Sequence, residues 1–286
     1  MRPRLVGRPR RGTMGKDMLA APLVHYAFAL DWTIVIGIVG LAYGLGLWSA
    51  ARAGHPHPRA QVVAFYASLA VLLVSFLTPV DAYDNVSFFD HMAQHLLLAF
   101  VAAPLFALGG PISLALKATP PRWRSRWLAP VVDSKGFEAI THPVTAAASF
   151  FLVQAGILVR PLFNDAVNTG LPHFTQHALL MATSFLVWRS MAGVDPPRHR
   201  VRFPLRPTLT VVLLAVVSAV ALFVLVADVP LYRYATFPPP WGGHAALLSQ
   251  RRGAWLLLAG GDCLVLAAAF LVHRATLRVR VVTGEA

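Results

Sequence analysis

Seven nearly uncharged runs, most of them close to 20 residues long, decide what this chain can become. They are roughly Trp32–Ala50, Gln61–Thr78, Phe88–Leu108, Val144–Val159, His173–Met191, Thr208–Ala227 and Ala254–His273. A helix needs about 20 mostly apolar residues to cross the hydrocarbon core of a bilayer. The intervals between the runs are rich in Pro, Gly and charge, and none is long enough for a soluble domain. The expected fold is all-α, a polytopic membrane protein built as a seven transmembrane helix bundle in contact with the lipid bilayer. Composition agrees: 57% of residues are hydrophobic and 13% charged, where soluble domains carry about 25% charged residues. An ordinary water-soluble enzyme is excluded, because its surface could not hide so much apolar area. The domain reading is 1–18, a basic tail expected to be disordered; 19–275, the seven-helix domain; and 276–286, a cytoplasmic tail.

The formal net charge is +13. In a soluble protein that would point to nucleic acid. Here the basic residues fall in loops between spans, which reads as topology, and no nucleic-acid partner is expected. The loops after spans 1, 3 and 5 and the C-terminal segment are Lys/Arg-rich. Those after spans 2, 4 and 6 contain only Arg160, Arg233, Arg251 and Arg252. The positive-inside rule then places the N-terminus outside and the C-terminus in the cytoplasm. The run Arg122-Trp-Arg-Ser-Arg-Trp127 interleaves charge with aromatics and reads as an interfacial membrane anchor. A single cysteine, Cys263, excludes an internal disulfide and any CxxC site.

The 11 histidines divide under this topology. His25, His91, His95, His173, His177 and His244 fall on the outer side, and His55, His57, His142, His199 and His273 on the inner side. Two outer segments repeat one pattern: His91-Met-Ala-Gln-His95 opens span 3, and His173-Phe-Thr-Gln-His177 opens span 5. Residues i and i+4 share a helix face. Each helix therefore presents two imidazoles and a carboxamide, and two such patches facing each other supply four nitrogen ligands. Imidazole suits Cu, Zn, Fe and Ni. Gln94, Gln176 and Asp90 are the nearest groups in sequence to accept the second ring N–H of a ligating histidine. Met92 would offer a soft thioether, although it lies about 100° around the helix from His91.

Asp262, mid-span, is either a functional intramembrane carboxylate or a hydrogen-bonded structural one. Gln154 reads as an interhelical hydrogen-bonding residue, and His55-Pro-His57 as a turn. No Walker loop, GxGxxG, HExxH or nucleophile elbow is present, so no enzyme activity is expected.

Phe89-Asp-His91-Met-Ala-Gln-His95-Leu-Leu-Leu, followed by Ala103-Pro-Leu-Phe-Ala-Leu-Gly-Gly-Pro111, resembles the signature segment of the multi-pass CtaG-type cytochrome c oxidase assembly factors. The resemblance extends through Thr141-His-Pro143, Leu162-Phe-Asn-Asp-Ala166 and His173–His177, and covers most of residues 25–275. It implies a seven-spanning chaperone of the bacterial plasma (inner) membrane. Such a protein would bind copper at His91, His95, His173 and His177 and deliver it to a cytochrome c oxidase subunit. The chain departs from the pattern in two places. It has Ile157-Leu-Val-Arg160 where family members commonly carry Trp-His, and Ser249-Gln250-Arg251 where they commonly carry Asp-Gln. Two other readings follow from the same residues: a haem-binding membrane redox protein, and a metal-ion transporter using the histidines and Asp262.

Overall fold

Residues 14–84, 87–195, 205–232 and 245–283 are described by a computed structural model. Residues 1–13, His199 and His244 lie outside them, as does the side chain of His25. Among the described residues there is no strand. Besides short helical turns over residues 121–132, the helices are α1 (Met14–Arg52), α2 (Arg59–Leu77), α3 (Pro79–Asp84), α4 (Phe88–Ala118), α5 (Lys135–Thr141), α6 (Pro143–Leu158), α7 (Arg160–Asn168), α8 (Gly170–Ala192), α9 (Arg206–Leu225) and α10 (245–283).

Among the described residues, five helical stretches are long and apolar enough to cross a membrane: Leu30–Arg52, Arg59–Leu77, Phe88–Ala118, Arg206–Leu225 and Ala246–Leu277. A sixth arises if Pro143–Gly156 and Arg160–Val167, bent by 78°, form one broken span. α8 is not among them, because Thr175, Gln176, Thr183, Ser184, Arg189 and Ser190 dilute its apolar character. Its polar side is turned inward: Thr183, Ser184, Arg189 and Ser190 are buried. Large apolar side chains such as Ile38, Leu41, Val63, Leu152 and Phe270 face outward, a surface that water would not tolerate at this extent.

Several element ends differ from the sequence expectation. α1 begins at Met14, inside the segment read as a tail, because Met, Lys, Leu and Ala let the helix propagate back from the span. The last helix continues to Thr283, through residues read as a tail. Gly109-Gly110-Pro111 interrupts span 3 without ending it. Gly110 takes the left-handed conformation (φ 59°) and Pro111 restarts the helix, which runs on to Ala118. The interval after span 4 is helical too, since Pro161 occupies the first turn of α7.

α4 and α8 lie at the centre of the bundle. α4 contains a π-helical stretch at Leu97–Ala102, and such wide turns leave carbonyls that need other donors. Trp188 of α8 donates its indole N–H to the Ala99 carbonyl at 2.8 Å, and Ser68 of α2 donates to the Ala102 carbonyl at 2.8 Å. Trp188→Phe keeps most of the packing and removes one buried donor. It is expected to destabilise the protein by about 1–3 kcal/mol, read as a lowered melting temperature in detergent.

At the opposite end from Phe88, the hydroxyl of Tyr43 and Nε2 of His57 both reach the Gly109 carbonyl, at 2.8 and 3.0 Å. A Cβ at Gly109 would sit 2.8 Å from Phe65 Cβ, so glycine is what lets α4 approach α2 there. His57 thus sits in an extended segment and bonds to backbone, in keeping with a structural role. Asp195 accepts from the Ser113 amide at 2.7 Å, tying the end of α8 to the restarted part of α4. Burial pushes the Asp195 carboxyl above its usual value.

Candidate metal centre

The two H-x-x-Q-H segments fold as the sequence pattern requires. Ser87 caps the N-terminus of α4, its hydroxyl accepting from the Asp90 amide at 3.4 Å. This sets His91 and His95 one turn apart on the inward face, with ring centroids 4.4 Å apart. α8 starts at Gly170 and places His173 and His177 likewise, again 4.4 Å apart. The two helices face each other at the N-terminal ends of α4 and α8. The His91 ring lies 5.3 Å from His173 and 5.5 Å from His177, and His95 lies 5.1 Å from His177. All four predicted imidazoles therefore converge.

The structure adds a carboxylate. α3 turns back over the cluster and places Asp84, fully buried, 3.1 Å from Nε2 of His173 through Oδ2. One ligand atom from each of Asp84, His91, His173 and His177 lies within 4.8 Å of the others. Three imidazoles and a carboxylate converging on one point are a donor set for a transition-metal ion. His95 is not one of these four; it sits one turn deeper, with both ring nitrogens buried and without a hydrogen bond. Nε2 of His91 and Nε2 of His177 are likewise buried without a hydrogen bond. Buried polar atoms are normally satisfied, and this many orphans in one place make the cluster a candidate ligand site.

The surroundings partly correct the sequence reading. The second ring nitrogen of His91 meets the backbone carbonyl of Asp84, donating from Nδ1 at 3.3 Å, and not Asp90 or Gln94. That bond leaves Nε2 facing the other ligands. Gln94 donates instead to the Ser75 carbonyl at 2.9 Å and to Asp81 Oδ1 at 3.0 Å. It holds α3 in place, and through α3 the Asp84 carboxylate. Asp90 lies on the capped first turn of α4. Gln176 lies between the two histidines of α8, with Oε1 buried and without a hydrogen bond. Met92 is packed in the apolar core. Asp262 accepts from the Ser218 hydroxyl at 3.1–3.2 Å, and Cys263 is exposed. Gln154 is buried with Oε1 unbonded.

Asp84 escapes a helical-face argument because it ends α3, a separate helix from the one that carries His91, and reaches the cluster only through the turn between the two.

Aromatic rings wall the site. Phe163 of α7 is 5.0 Å from His91 and Phe76 of α2 is 5.8 Å from His177. Trp32 stacks on both Phe76 and Phe174. Arg160 donates to the carbonyls of Leu231 (2.7 Å) and Pro230 (3.3 Å). Gln250 accepts from the Leu231 amide at 2.7 Å. Arg160 and Gln250 thus clamp the segment after α9, and the carboxylate of the cluster comes from α3.

Asp81, between spans, is pushed up to about 7, first by burial and then by the neighbouring Asp84. The folded state therefore binds more protons than the unfolded one between the usual value of 3.8 and about 7, so this residue's contribution to stability falls as pH rises through that window. Asp81→Asn is expected to flatten that slope, measured as melting temperature against pH from 4 to 8.

An all-helical bundle with a buried histidine–carboxylate cluster between its central helices is a membrane-type helical protein with a candidate metal centre. The cytochrome c oxidase caa3 assembly factor family (Caa3_CtaG) matches residues 41–278, and the chain belongs to that family. Among curated proteins it is similar to uncharacterized proteins of Mycobacterium bovis and Mycobacterium tuberculosis, each 27% identical over 173 residues. That stretch is 58% of this chain and 26% of the relative. A Mycobacterium leprae protein is 26% identical over 172 residues, with the same shares. The matched stretch is thus about a quarter of each relative's length. No solved structure is a significant match.

Proposed function

We propose that this protein is a membrane-embedded assembly factor that holds copper as cargo at the outer ends of α4 and α8 and passes it to a cytochrome c oxidase subunit. The observation that carries the reading is the convergence of Asp84, His91, His173 and His177 within 4.8 Å, with His95 adjoining as a fifth donor for ligand exchange. In this reading α8 is a further span, which with the broken α6–α7 span makes seven. The N-terminus is outside and the C-terminus cytoplasmic in the bacterial plasma membrane, as the loop charges favour. The buried cluster then lies toward the face where copper arrives.

The same geometry supports a bare ion over haem. A porphyrin needs a flat slot between its two axial ligands, whereas here the donors from three helices crowd one point and Phe163 closes on His91. The role is one of binding and transfer, with no catalytic group assigned. The test is genetic: cells lacking the protein are expected to make a copper-deficient oxidase, restored by the wild-type chain. Full copper loading of the oxidase in its absence would contradict the role.

A further inference from the structure

Of the four clustered imidazoles, His95 is the one outside the group formed with Asp84. It lies one helical turn deeper on α4 than His91, and both of its ring nitrogens are buried without a hydrogen bond. The rings of His91, His95 and His177 have centres 4.4, 5.1 and 5.5 Å apart. Those of His91, His173 and His177, which join Asp84, have centres 4.4, 5.3 and 5.5 Å apart. An imidazole nitrogen sits about 2.0–2.1 Å from a transition ion, so rings sharing one ion have centres roughly 4.5–5.5 Å apart. Both triangles meet that spacing. Nε2 of His91 and Nε2 of His177, common to the two, are also buried without hydrogen bonds.

The triangles differ in depth and in charge. His173, paired with Asp84, keeps 14% of its side chain exposed, whereas His91, His95 and His177 are buried. An ion in a low-dielectric interior is costly unless a counter-charge accompanies it, and the cost climbs with its net charge. A divalent ion beside the Asp84 carboxylate carries one net positive charge. A monovalent ion among three neutral imidazoles carries the same. A divalent ion among the imidazoles alone would carry two, at the greater depth. Carboxylate oxygen also suits harder ions than imidazole does.

We propose that the centre has two overlapping positions: a divalent ion takes Asp84, His91, His173 and His177, and a monovalent ion takes His91, His95 and His177. The inference deepens the metal-centre reading and rests on it. Because His91 and His177 serve both positions, one ion is held at a time. The exposed edge of His173 makes the carboxylate position the way in, and His95 draws a monovalent ion one turn further.

The test titrates the detergent-purified full chain with Ag(I), a redox-stable monovalent ion, and separately with Zn(II). Bound metal is counted against protein, and the melting temperature checks folding. Wild type is expected to bind one equivalent of either ion. His95→Ala is expected to weaken Ag(I) about tenfold or more and Zn(II) by less than about threefold. Asp84→Asn is expected to do the reverse. If His95→Ala does not fold, His95→Leu carries the same test. Ag(I) affinity unchanged without His95, or equal losses for both ions in either variant, overturns the proposal. So does a wild-type chain that binds only one of the two ions, which leaves the metal-centre reading standing. A wild-type chain that binds neither fails that reading itself, and the proposal with it.

Discussion

Replacing both His91 and His177 by alanine is expected to abolish stoichiometric copper binding, with affinity falling by more than about 100-fold. Loss of a group that merely orients a ligand already costs roughly 10–100-fold in metal affinity, and this change removes two ligands outright. The two residues come from different helices, their Nε2 atoms are buried without hydrogen bonds, and both belong to the group that converges with Asp84. What remains is His95, one turn deeper, and the His173–Asp84 contact at 3.1 Å, with two of the four grouped donors gone. The protein should still fold, because alanine relieves two buried unsatisfied imidazoles. Copper measured by elemental analysis against protein, with the melting temperature as control, decides the matter. Metal content equal to wild type in the folded variant would remove these residues from the site.

The largest expected effect on stability is at Gly253. A Cβ there would lie 2.5 Å from Cδ1 of Phe88 and 3.2 Å from its backbone oxygen. Phe88 cannot move aside, because it is buried between Phe163 and Tyr232, with ring centroids 6.0 and 5.4 Å away. Gly253→Val must therefore push α10 off the first turn of α4. Overpacking of this kind costs about 1–3 kcal/mol, and backbone displacement places the cost at the upper end. The same shift moves the turn that leads into His91, so copper affinity should fall with stability. Gly156 is the matched control: nothing lies within 4 Å of its Cβ position. Gly156→Ala should be neutral or stabilising by up to about 1 kcal/mol. Similar melting temperatures for Gly253→Val and Gly156→Ala would contradict the packing described.

The sequence was most legible where a period or a length carried the information. The H-x-x-Q-H spacing placed four imidazoles on two helix faces, and those faces meet. The apolar runs correspond to helices of the bundle. Ends were less legible, because glycine and proline act as restarts here as well as stops: Gly110-Pro111 and Arg160-Pro161 both begin new helix inside intervals read as loop. Partners across space were not legible at all. Asp84 reaches the cluster only because α3 folds back, and Gln94, adjacent to the histidines in sequence, spends its amide on Ser75 and Asp81. The Ala99 carbonyl finds Trp188, 89 residues away. Pattern reports which face a residue occupies, whereas tertiary geometry decides what that face meets.

The central proposal is copper held by imidazole and carboxylate where α3, α4 and α8 meet. X-ray absorption spectroscopy of the copper-loaded, detergent-purified chain tests this most directly. The expected result is one copper per chain with a first shell of nitrogen and oxygen alone, and outer-shell scattering from about three imidazoles that diminishes in the His91→Ala, His177→Ala variant. A sulfur-dominated shell, or a spectrum unchanged in that variant, would contradict it.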